Sequence, residues 1–381
     1  MVDLHVVGGG PAGCFAGISA CLQGKSVLLS EEHKTIGEPE ACSGLISKSG
    51  LESLMPYVNY KEIVLNEITS TKIICGPLSA RQEGIPFSQS EKAGKQEFTV
   101  SPKEEVALLV SRCGLDHLAA QRFVEEGGQL ELGKKVTRNF ASRSVVGADG
   151  PASAVAGYFG FPRISSYVAC MQGNFKYSCE NPHQAEIYLS GSDFPGFFGW
   201  AIPVNEGEAK IGLGVSLPHH PLKYYRKFIS HLGLKSKPSH EFAAVIPTSV
   251  RRKTAMEKAG YSVLLAGDAA GQVKATTGGG IFFGAQCGFL AGKHSGDPKA
   301  YEHEWKSAYG LDLAMHGYLR SLLNIGRGEP NPILLSAAKA LFFEDLLSER
   351  GKMDRLGQML VPTLPISYAE IVARRLAGAK A

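Results

Sequence analysis

The segment GGGPAG, residues 8–13, has the residue types and spacing of a turn that binds phosphate. In a G-x-G-x-x-G pattern, Gly8 would permit a tight turn, Gly10 would let the backbone approach a pyrophosphate, and Gly13 would let a helix pack closely on a strand. The first N–H groups of the following helix lack intrahelical partners and carry its positive dipole end. The segment therefore predicts the binding of a dinucleotide pyrophosphate.

An acidic residue, Glu31, follows Gly13 by 18 positions, at the end of the next predicted strand. Its carboxylate would accept hydrogen bonds from both ribose hydroxyls of an adenosine and would repel a 2′-phosphate. This favours FAD or NAD over NADP. An ordinary glycine-rich turn is the alternative, but a strand, a helix, a second strand and an acid in this order argue against it.

A second acid, Asp268, directly follows a predicted buried strand, and the segment TGGGI, residues 277–281, opens another helix. Asp268 would accept hydrogen bonds from ribityl hydroxyls. A packing role explains one glycine in this turn, but not three ahead of a helix. The pyrimidine edge of a flavin, where negative charge develops on reduction, would face the N–H groups of Gly279, Gly280 and Ile281.

These two segments and GADG at residues 147–150 resemble the three signatures of the para-hydroxybenzoate-hydroxylase-like flavoprotein fold, over roughly residues 1–300. The resemblance implies FAD and argues against a nicotinamide dehydrogenase. Arg112 lies in an R-x-x-x-D pattern, where a guanidinium would reach the cofactor; a surface arginine is the alternative. The cofactor-contacting positions implied are Ala12, Glu31, Arg112, Asp268, Gly280 and Ile281.

The segment IGEPEACSGLIS, residues 36–47, resembles the cysteine-bearing loop of geranylgeranyl reductases, which aromatic hydroxylases of the same fold generally lack. The resemblance places Cys42, Ser43 and Gly44 beside the flavin and gives Cys42 a catalytic or substrate-positioning role. A buried, inert thiol is the alternative. Since a thiol protonates an alkene poorly, a water molecule or a tyrosine stays open as the proton donor.

A further pattern, FGWAIP at residues 198–203 followed by GLG, resembles the Y-x-W-x-F-P…G-x-G pattern of the same reductases. Phenylalanine replaces tyrosine at position 198, so a hydrogen bond from a tyrosine hydroxyl is absent there. Aromatic side chains here would line an apolar substrate tunnel, with packing in a sheet core as the alternative. The resemblance predicts five substrate-binding residues: Phe198, Trp200, Pro203, Gly212 and Gly214.

The resemblance implies an FAD-dependent reductase that saturates C=C bonds of geranylgeranyl chains in membrane ether lipids or their precursors. An FAD-dependent monooxygenase or halogenase of the same fold is the alternative, and a flavin-holding lipid carrier is a third hypothesis. No second dinucleotide pattern is visible, so NADPH, NADH, ferredoxin or coenzyme F420 stays open as the electron donor. A free diphosphate and an assembled phospholipid both stay open as substrates.

The order of predicted strands and helices along the chain indicates an α/β (α+β) fold. It comprises a Rossmann-like FAD-binding domain, an interleaved antiparallel-sheet substrate domain and a helical C-terminal region. We expect the FAD-binding domain to be discontinuous, comprising residues 1–60, 101–162 and 255–300. The substrate domain would comprise residues 61–100 and 163–254, and the helical region residues 301–381. The stretch between Val136 and Gly147 is short for this fold, so the cofactor contact expected from Val136 lies on a trimmed sheet.

The composition is globular, with 44% hydrophobic and 20% charged residues among 381. A net charge of +4 is too small to predict nucleic-acid binding. Eight cysteines without a C-x-x-C pair, and histidines without H-E-x-x-H, indicate neither a metal site nor a disulfide framework. With no apolar run long enough for a membrane span, we expect a cytoplasmic protein with peripheral contact at the inner membrane face. The C-terminal cations that could make that contact are Arg320, Arg327, Arg350, Arg355, Arg374 and Arg375, and a solvated helical face is the alternative for them.

Glycine is over-represented, at 45 of 381 residues, against a usual share of about 7%. The excess has neither the period of collagen nor the character of a low-complexity tract. It predicts many places where the backbone turns tightly or approaches another group closely.

Overall fold

The computed structural model describes residues 2–78, 96–102 and 106–323, together with Asp354. The chain forms two compact units, each assembled from separated stretches. Unit 1 consists of Met1–Val64, Val110–Tyr167 and Val245–Gly317. The described part of unit 2 lies within Leu65–Leu109, Val168–Ala244 and the residues from Tyr318 onward.

The strands, in chain order, are β1 (Leu4–Val7), β2 (Val27–Ser30), β3 (Leu45–Ser47), β4 (Val64–Ile68), β5 (Ser70–Cys75), β6 (Gln96–Val100), β7 (Ala107–Val110), β8 (Gln129–Glu131), β9 (Ser144–Gly147), β10 (Tyr167–Lys176), β11 (Gln184–Leu189), β12 (Gly199–Asn205), β13 (Glu208–Ser216), β14 (Glu241–Pro247), β15 (Ala255–Lys258) and β16 (Tyr261–Leu265). The helices are α1 (Pro11–Cys21), α2 (Lys48–Glu52), α3 (Arg112–Glu125), α4 (Ala154–Phe159), α5 (Pro221–His231), α6 (Ile281–Lys293), α7 (Pro298–Trp305) and α8 (Leu311–Leu323). Short 3₁₀ turns occupy Tyr60–Ile63 and Gly267–Ala269, and a single π turn occupies Lys306–Gly310.

Unit 1 contains a six-stranded sheet in the order β15-β16-β9-β1-β2-β8. All its pairs are parallel except β15 with β16. The four residues of β1 are apolar or uncharged and all buried, as expected for a central parallel strand covered on both faces. The predicted N-terminal strand–helix–strand order is present as β1, α1 and β2, and the mixed α/β architecture predicted from the sequence is confirmed.

Helices α1 and α6 pack at very short range because glycines on α6 face the backbone of α1. A methyl group placed on Gly288 would lie 2.1 Å from the carbonyl oxygen of Ala12, and one on Gly292 would lie 2.0 Å from that of Ala16. The contacts advance in the same direction along both helices, so the helices run parallel. Their N-termini, at Gly10 and Gly280, therefore open toward the same end of unit 1.

A seven-stranded sheet has the order β14-β10-β13-β12-β11-β5-β6. The long hairpin partners β10, β13 and β12 pair antiparallel, as the sequence predicts, but β5 pairs with β11 in parallel. The parallel pair is possible because a long stretch of chain lies between β5 and β11, which a hairpin turn could not replace. The core of unit 2 contains Phe194, Phe228 and Tyr188, whose rings meet edge to face.

A third sheet has three short strands in the order β3-β7-β4. Among the described helices, none has the length and apolarity that crossing a membrane requires. Within the predicted helical region 301–381, the described residues form the end of α7, the π turn and α8. Apart from Asp354, the remaining residues lie outside the described part of the chain, among them Arg327, Arg350, Arg355, Arg374 and Arg375.

Candidate functional site

The phosphate-binding turn has the geometry that its glycines predict. Gly8 has a φ of +104°, and a methyl group there would lie 2.3 Å from the carbonyl oxygen of Ala148. A methyl group on Gly13 would lie 1.8 Å from the carbonyl oxygen of Gly8, so this glycine lets α1 pack against the turn. Gly10 differs, because a methyl group there meets no protein atom within 4 Å. The space in front of Gly10 is open for a ligand.

Glu31 is fixed against this turn by both of its carboxylate oxygens. Its Oε2 accepts a hydrogen bond of 2.7 Å from the N–H of Gly9. Its Oε1 accepts one of 2.9 Å from the N–H of His33 and lies 2.6 Å from Nδ1 of the same residue. An ionised carboxylate has about four acceptor positions, so ribose hydroxyls can still bind there. His33 escaped the sequence analysis, although its position two residues after Glu31 is typical of a side chain that folds back on a turn.

Arg112 begins helix α3, where Ser111 caps the helix by accepting from the N–H of Gly114. Its Nη1 lies 2.5 Å from Oδ2 of Asp116, one helical turn later, and both side chains are largely buried. The Nε of Arg112 and Oδ1 of Asp116 are buried without a hydrogen-bond partner. A buried donor of this kind requires a partner, and a bound cofactor would supply one to the guanidinium.

Charged groups from three separate segments surround Arg112. Burial lowers the pKa of its guanidinium, but neighbouring charges raise it and the rise prevails; these neighbours include Asp116, Cys42 and Asp268. Burial also raises the pKa of Asp116 and of Asp268 to about 6, while the charge of Arg112 opposes both increases. The structure thus brings together three predicted site residues, Cys42, Arg112 and Asp268, which are separated by 70 and 156 positions in sequence.

Asp268 lies in the 3₁₀ turn that follows β16, next to the glycines that precede α6. A methyl group on Gly280 would lie 3.2 Å from Oδ1 of Asp268. Gly280 is the N-cap of α6 and no side chain caps this helix. The first N–H groups of α6, beginning at Ile281, are therefore directed into the same region as the Asp268 carboxylate.

The Cys42 loop lies against strand β7. Gly44 has a φ of +79°, and a methyl group there would lie 2.2 Å from the carbonyl oxygen of Val110. Its N–H is 3.4 Å from Sγ of Cys42, which accepts a hydrogen bond from it. Cys42 and Ser43 are half-buried. The thiol of Cys42 is thus held near Arg112 by the backbone of its own loop.

Val136 is placed differently from the other predicted cofactor contacts. Its side chain is 8% exposed and belongs to an apolar cluster with Val7, Val145 and Phe159. Its isopropyl group is therefore part of the core of unit 1, and a contact with the cofactor would have to come from the backbone of Val136.

In unit 2, Trp200 lies flat over a glycine in the neighbouring strand. Trp200 pairs with Gly212, and a methyl group on this glycine would lie 2.6 Å from Cζ2 of the indole. The indole Nε1 donates a hydrogen bond of 2.9 Å to Oε1 of Gln172, which is 1% exposed. Gln172 also faces Gly212, from the opposite strand. Sequence analysis missed Gln172, because a lone glutamine in an apolar strand has no pattern that indicates its partner.

Phe198 belongs to an aromatic cluster that a second glycine makes possible. The rings of Phe197 and Phe198 stack with centroids 4.2 Å apart, and both side chains are half-buried. A methyl group on Gly214 would lie 2.4 Å from Cδ1 of Phe197. Arg320 lies over the Phe197 ring at 5.4 Å and donates to the carbonyl oxygen of Gly196. The guanidinium of Arg320, which the sequence placed among the lipid-facing cations, therefore contacts residues of unit 2.

Pro203 lies away from these aromatic rings, near the other end of β12. Its carbonyl oxygen accepts a hydrogen bond of 2.9 Å from Nδ2 of Asn66, and a register shift follows it in β12. Phe194, a further aromatic of this region, lies in the core of unit 2.

The described residues contain no group of three potential metal ligands.

The residues of unit 1 fit FAD. The open space at Gly10 suits a pyrophosphate, the Glu31 carboxylate suits ribose hydroxyls, and the unpartnered Nε of Arg112 suits a cofactor acceptor. Two parallel helices with uncapped N-termini place positive dipole ends at two points, as a long, anionic dinucleotide requires.

The chain matches the family model described as FAD dependent oxidoreductase over residues 3–97. It is 29% identical to a digeranylgeranylglycerophospholipid reductase of Methanothermobacter thermautotrophicus, with 88% of this chain and 91% of the relative covered. It is 28% identical to a digeranylgeranylglycerophospholipid reductase of Methanocella arvoryzae, with 82% and 84% covered.

Among solved structures, a geranylgeranyl bacteriochlorophyll reductase-like protein from Thermoplasma acidophilum has a TM-score of 0.74 at 21% identity, with 98% of both chains covered. The flavin-dependent brominase Bmp2 has a TM-score of 0.64 at 14% identity, with 98% of this chain and 99% of the brominase covered. At these identities the structures establish the flavoprotein fold alone. The family model confirms FAD as the cofactor, and the sequence relatives confirm the resemblance that the motifs predicted: over most of its length, this chain is similar to the digeranylgeranylglycerophospholipid reductases.

Proposed function

We propose that this protein is an FAD-dependent reductase that saturates C=C bonds in geranylgeranyl chains of membrane ether lipids or their precursors. The observation that carries the proposal is its similarity to digeranylgeranylglycerophospholipid reductases over 82–88% of the chain. The presence of the open space at Gly10, the Glu31 carboxylate, the unpartnered Nε of Arg112 and the Asp268 carboxylate in the same unit supports it.

Reduced FAD would supply a hydride to one carbon of the double bond, while the other carbon takes a proton. The residues of this chain would bind the cofactor and orient the alkene. The N–H groups at the N-terminus of α1 would donate to a pyrophosphate lying in the open space at Gly10. Glu31 would hold the adenosine ribose, and Asp268 would accept hydrogen bonds from ribityl hydroxyls. Arg112 donates to the cofactor and, with its positive charge, keeps the carboxylates around it ionised. We propose that Cys42, with Ser43 and Gly44, positions the alkene near Arg112.

The substrate side of the proposal rests on the aromatic surface of unit 2. Phe197 stacks on Phe198, and Phe198 meets Trp200 edge to face. Gly214 makes room for Phe197 and Gly212 for Trp200. This aromatic cluster offers an isoprenoid chain apolar contact, and each CH₂ group removed from water contributes about 0.8 kcal/mol. Binding of lipid tails also makes peripheral membrane contact part of the proposal, and liposome cosedimentation tests it.

A monooxygenase or halogenase is the second candidate, because flavin-dependent halogenases share this fold with TM-scores of 0.61–0.64. The two functions differ in what reoxidises the reduced flavin. A reductase passes electrons to the alkene without O₂, whereas a halogenase or monooxygenase requires O₂. NADPH, NADH, ferredoxin and coenzyme F420 are the electron donors to be compared.

The deciding experiment is a single turnover without oxygen. The FAD-loaded protein is reduced with dithionite, excess reductant is removed, and a geranylgeranyl ether lipid is added. We expect the flavin absorbance to return and the lipid to gain two hydrogens per saturated bond by mass spectrometry. A fully saturated lipid with the same headgroup is the control and should leave the flavin reduced.

A flavin that stays reduced until O₂ is admitted, with unchanged lipid mass, would contradict the reductase. An oxygenated or halogenated product that forms after O₂ is admitted would support the second candidate. Lipid binding without turnover under either condition would support a carrier instead. A Cys42→Ala variant should keep its FAD but lose most of the turnover, roughly tenfold or more, since loss of orientation alone can cost this much.

A further inference from the structure

A buried lysine lies in the loop between Asp268 and helix α6. Lys274 is only 6% exposed, although lysine is almost never fully buried. Its main chain closes the loop that carries the three glycines. The N–H of Lys274 donates to the carbonyl oxygen of Gly279 at 3.1 Å, and the N–H of Gly278 donates to the carbonyl oxygen of Lys274 at 2.8 Å. The position of this lysine is therefore fixed relative to the glycine-rich turn.

The side chain of Lys274 turns back toward the same glycines. A methyl group placed on Gly279 would lie 2.5 Å from Cε and 3.1 Å from Nζ of the lysine. On the next residue, a methyl group on Gly280 would lie 3.2 Å from Oδ1 of Asp268. An ammonium and a carboxylate thus stand beside two consecutive glycines, at the uncapped N-terminus of α6.

The two charges suit different parts of a bound FAD. A carboxylate accepts hydrogen bonds from hydroxyls, so Asp268 suits the ribityl chain, which is neutral. An ammonium attracts negative charge, and the pyrimidine edge of flavin acquires negative charge at N1 and O2 on reduction. The dipole of α6 adds a partial positive charge at the same place. The charge of Lys274 and the helix dipole therefore act on the pyrimidine edge in the same direction.

We propose that Lys274 is a flavin-tuning residue, whose ammonium stabilises the negative charge on the pyrimidine edge of the reduced flavin. The inference rests on the proposed FAD site and goes beyond it, since neither a second cation nor its effect on the cofactor is needed for binding. When oxidised FAD takes up two electrons and one proton, one negative charge stays on the ring system. Lys274 lowers the free energy of that form, and so raises the reduction potential.

This role determines which donors can deliver electrons. A higher reduction potential lets a weaker reductant load the flavin, and it lowers the driving force for the hydride transfer that follows. Lys274 would thus hold the cofactor in its reduced state until an alkene is bound. The same charge also disfavours protonation of N1, so the reduced flavin stays anionic at neutral pH.

The test compares the reduction potential of FAD in the wild-type protein with that in Lys274→Met and Lys274→Arg. The potential is measured by equilibration with a reference dye during slow enzymatic reduction. We expect the reduced-to-oxidised ratio at a fixed ambient potential to fall about tenfold or more in Lys274→Met, which corresponds to ~30 mV for a two-electron couple. Lys274→Arg keeps the charge and should stay within about threefold of the wild type.

Sulfite affinity gives a second, independent measurement. Sulfite donates its electron pair to flavin N5, and the displaced pair becomes negative charge at N1 and O2, so no further reactant is needed. We expect the dissociation constant for sulfite to rise about tenfold or more in Lys274→Met and to change little in Lys274→Arg.

Lys293→Met is the matched control, because Lys293 is an exposed lysine at the opposite end of the same helix, α6. It removes the same charge about 18 Å along the helix axis and should leave the potential unchanged. If Lys274→Met does not fold, Lys274→Gln, which keeps a polar end group, takes its place.

The outcomes separate this inference from the proposed function. An unchanged potential in a folded, FAD-bound Lys274→Met or Lys274→Gln overturns the role of Lys274 and leaves the proposed function intact. A potential that falls equally in Lys274→Arg and Lys274→Met also overturns it, because the effect then belongs to packing and not to charge. Failure of the wild-type protein to bind FAD contradicts the proposed function itself.

Discussion

Glycines that look equivalent in the GGGPAG segment have different physical requirements. Gly8 and Gly13 have a backbone carbonyl within 2.3 Å of any added methyl group, whereas Gly10 has open space and an ordinary φ of −72°. The first two are required by the protein itself. No protein atom requires a glycine at position 10, and the proposed FAD site accounts for it.

This difference gives a matched pair of substitutions. Gly13→Ala should lower the free energy of unfolding by about 1–3 kcal/mol, because its methyl group overlaps the carbonyl of Gly8. Gly10→Val should lower that free energy by no more than about 1 kcal/mol, the cost of a poorer N-cap residue for α1. It should nevertheless abolish FAD retention, because the side chain fills the pyrophosphate space. Urea unfolding and flavin absorbance after gel filtration measure the two effects, and FAD retained at wild-type level by Gly10→Val would contradict the site.

The carboxyl of Asp268 should make the stability of the FAD-free protein depend on pH. Burial raises its pKa from 3.8 to about 6, and Arg112 opposes the increase. A carboxyl with a raised pKa in the folded state stabilises the fold fully below its unfolded pKa, and this contribution is lost as pH rises through about 6. We therefore expect the free energy of unfolding to fall between about pH 4 and pH 6.5.

Asp268→Asn should reduce this slope, by an amount on the order of 1–3 kcal/mol over the interval. Asp116 still contributes to the pH dependence of this variant, because burial raises the pKa of Asp116 to about 6 as well. Urea unfolding of the two proteins at several pH values measures the difference. Parallel pH profiles for the wild-type protein and Asp268→Asn would contradict this prediction, because they would show that ionisation of Asp268 does not lower the free energy of unfolding.

At the scale of elements, the parallel pair α1 and α6 connects the two halves of the cofactor site. Each helix begins at a glycine with no side-chain cap, and close contact between the helices fixes the distance between those beginnings. The contact is possible because Gly284, Gly288 and Gly292 follow one another at intervals of four residues on α6. Residues four apart share one face of a helix, so these three form a groove for α1.

Gly288→Ala should separate the two helices and destabilise unit 1. The added methyl group would lie 2.1 Å from the carbonyl oxygen of Ala12, so we expect a loss of about 2 kcal/mol or more and weaker FAD binding. Gly157→Ala, at an exposed helical position with open space, is the control and should stabilise by about 0.5–1 kcal/mol. Thermal unfolding with and without FAD measures both, and equal effects of the two substitutions would exclude this account of the packing.

At the scale of the whole molecule, the predicted cofactor residues all belong to unit 1 and the predicted substrate residues all belong to unit 2. Each unit is built from separated stretches, with its own sheet and its own apolar core. Apart from Cys42, which lies in unit 1 and is proposed to position the alkene, substitutions of the predicted residues in one unit should therefore affect one half of the proposed function.

Trp200→Leu tests this separation. It removes the indole over Gly212 and leaves Oε1 of Gln172 buried without its donor, at a cost of about 1–3 kcal/mol. Binding of FAD at 100 times its dissociation constant should still stabilise the variant by about 2.7 kcal/mol, as in the wild type. Anaerobic turnover of geranylgeranyl lipid should fall strongly. Loss of the FAD-dependent stabilisation in Trp200→Leu would show that the two functions are not separable.

Three features could be predicted from short stretches of sequence: the strand–turn–helix at each glycine-rich segment, the acid after each strand, and the cofactor class that these imply. These are readable because a G-x-G-x-x-G turn, a buried strand and a helix start each depend on neighbouring residues. The exact function of each glycine was not readable, since Gly10 and Gly13 differ only in what lies across from them.

Contacts between distant segments depended on the tertiary structure. Arg112, Asp268 and Cys42 meet because helix α3, the turn after β16 and the Cys42 loop converge, although no local pattern links them. The tertiary structure also placed Val136 in the core, paired Trp200 with Gln172 and brought the ammonium of Lys274 to Gly279. Burial and charge proximity arise from packing across the chain, so a sequence names the groups that can do the chemistry and the fold decides which of them face one another.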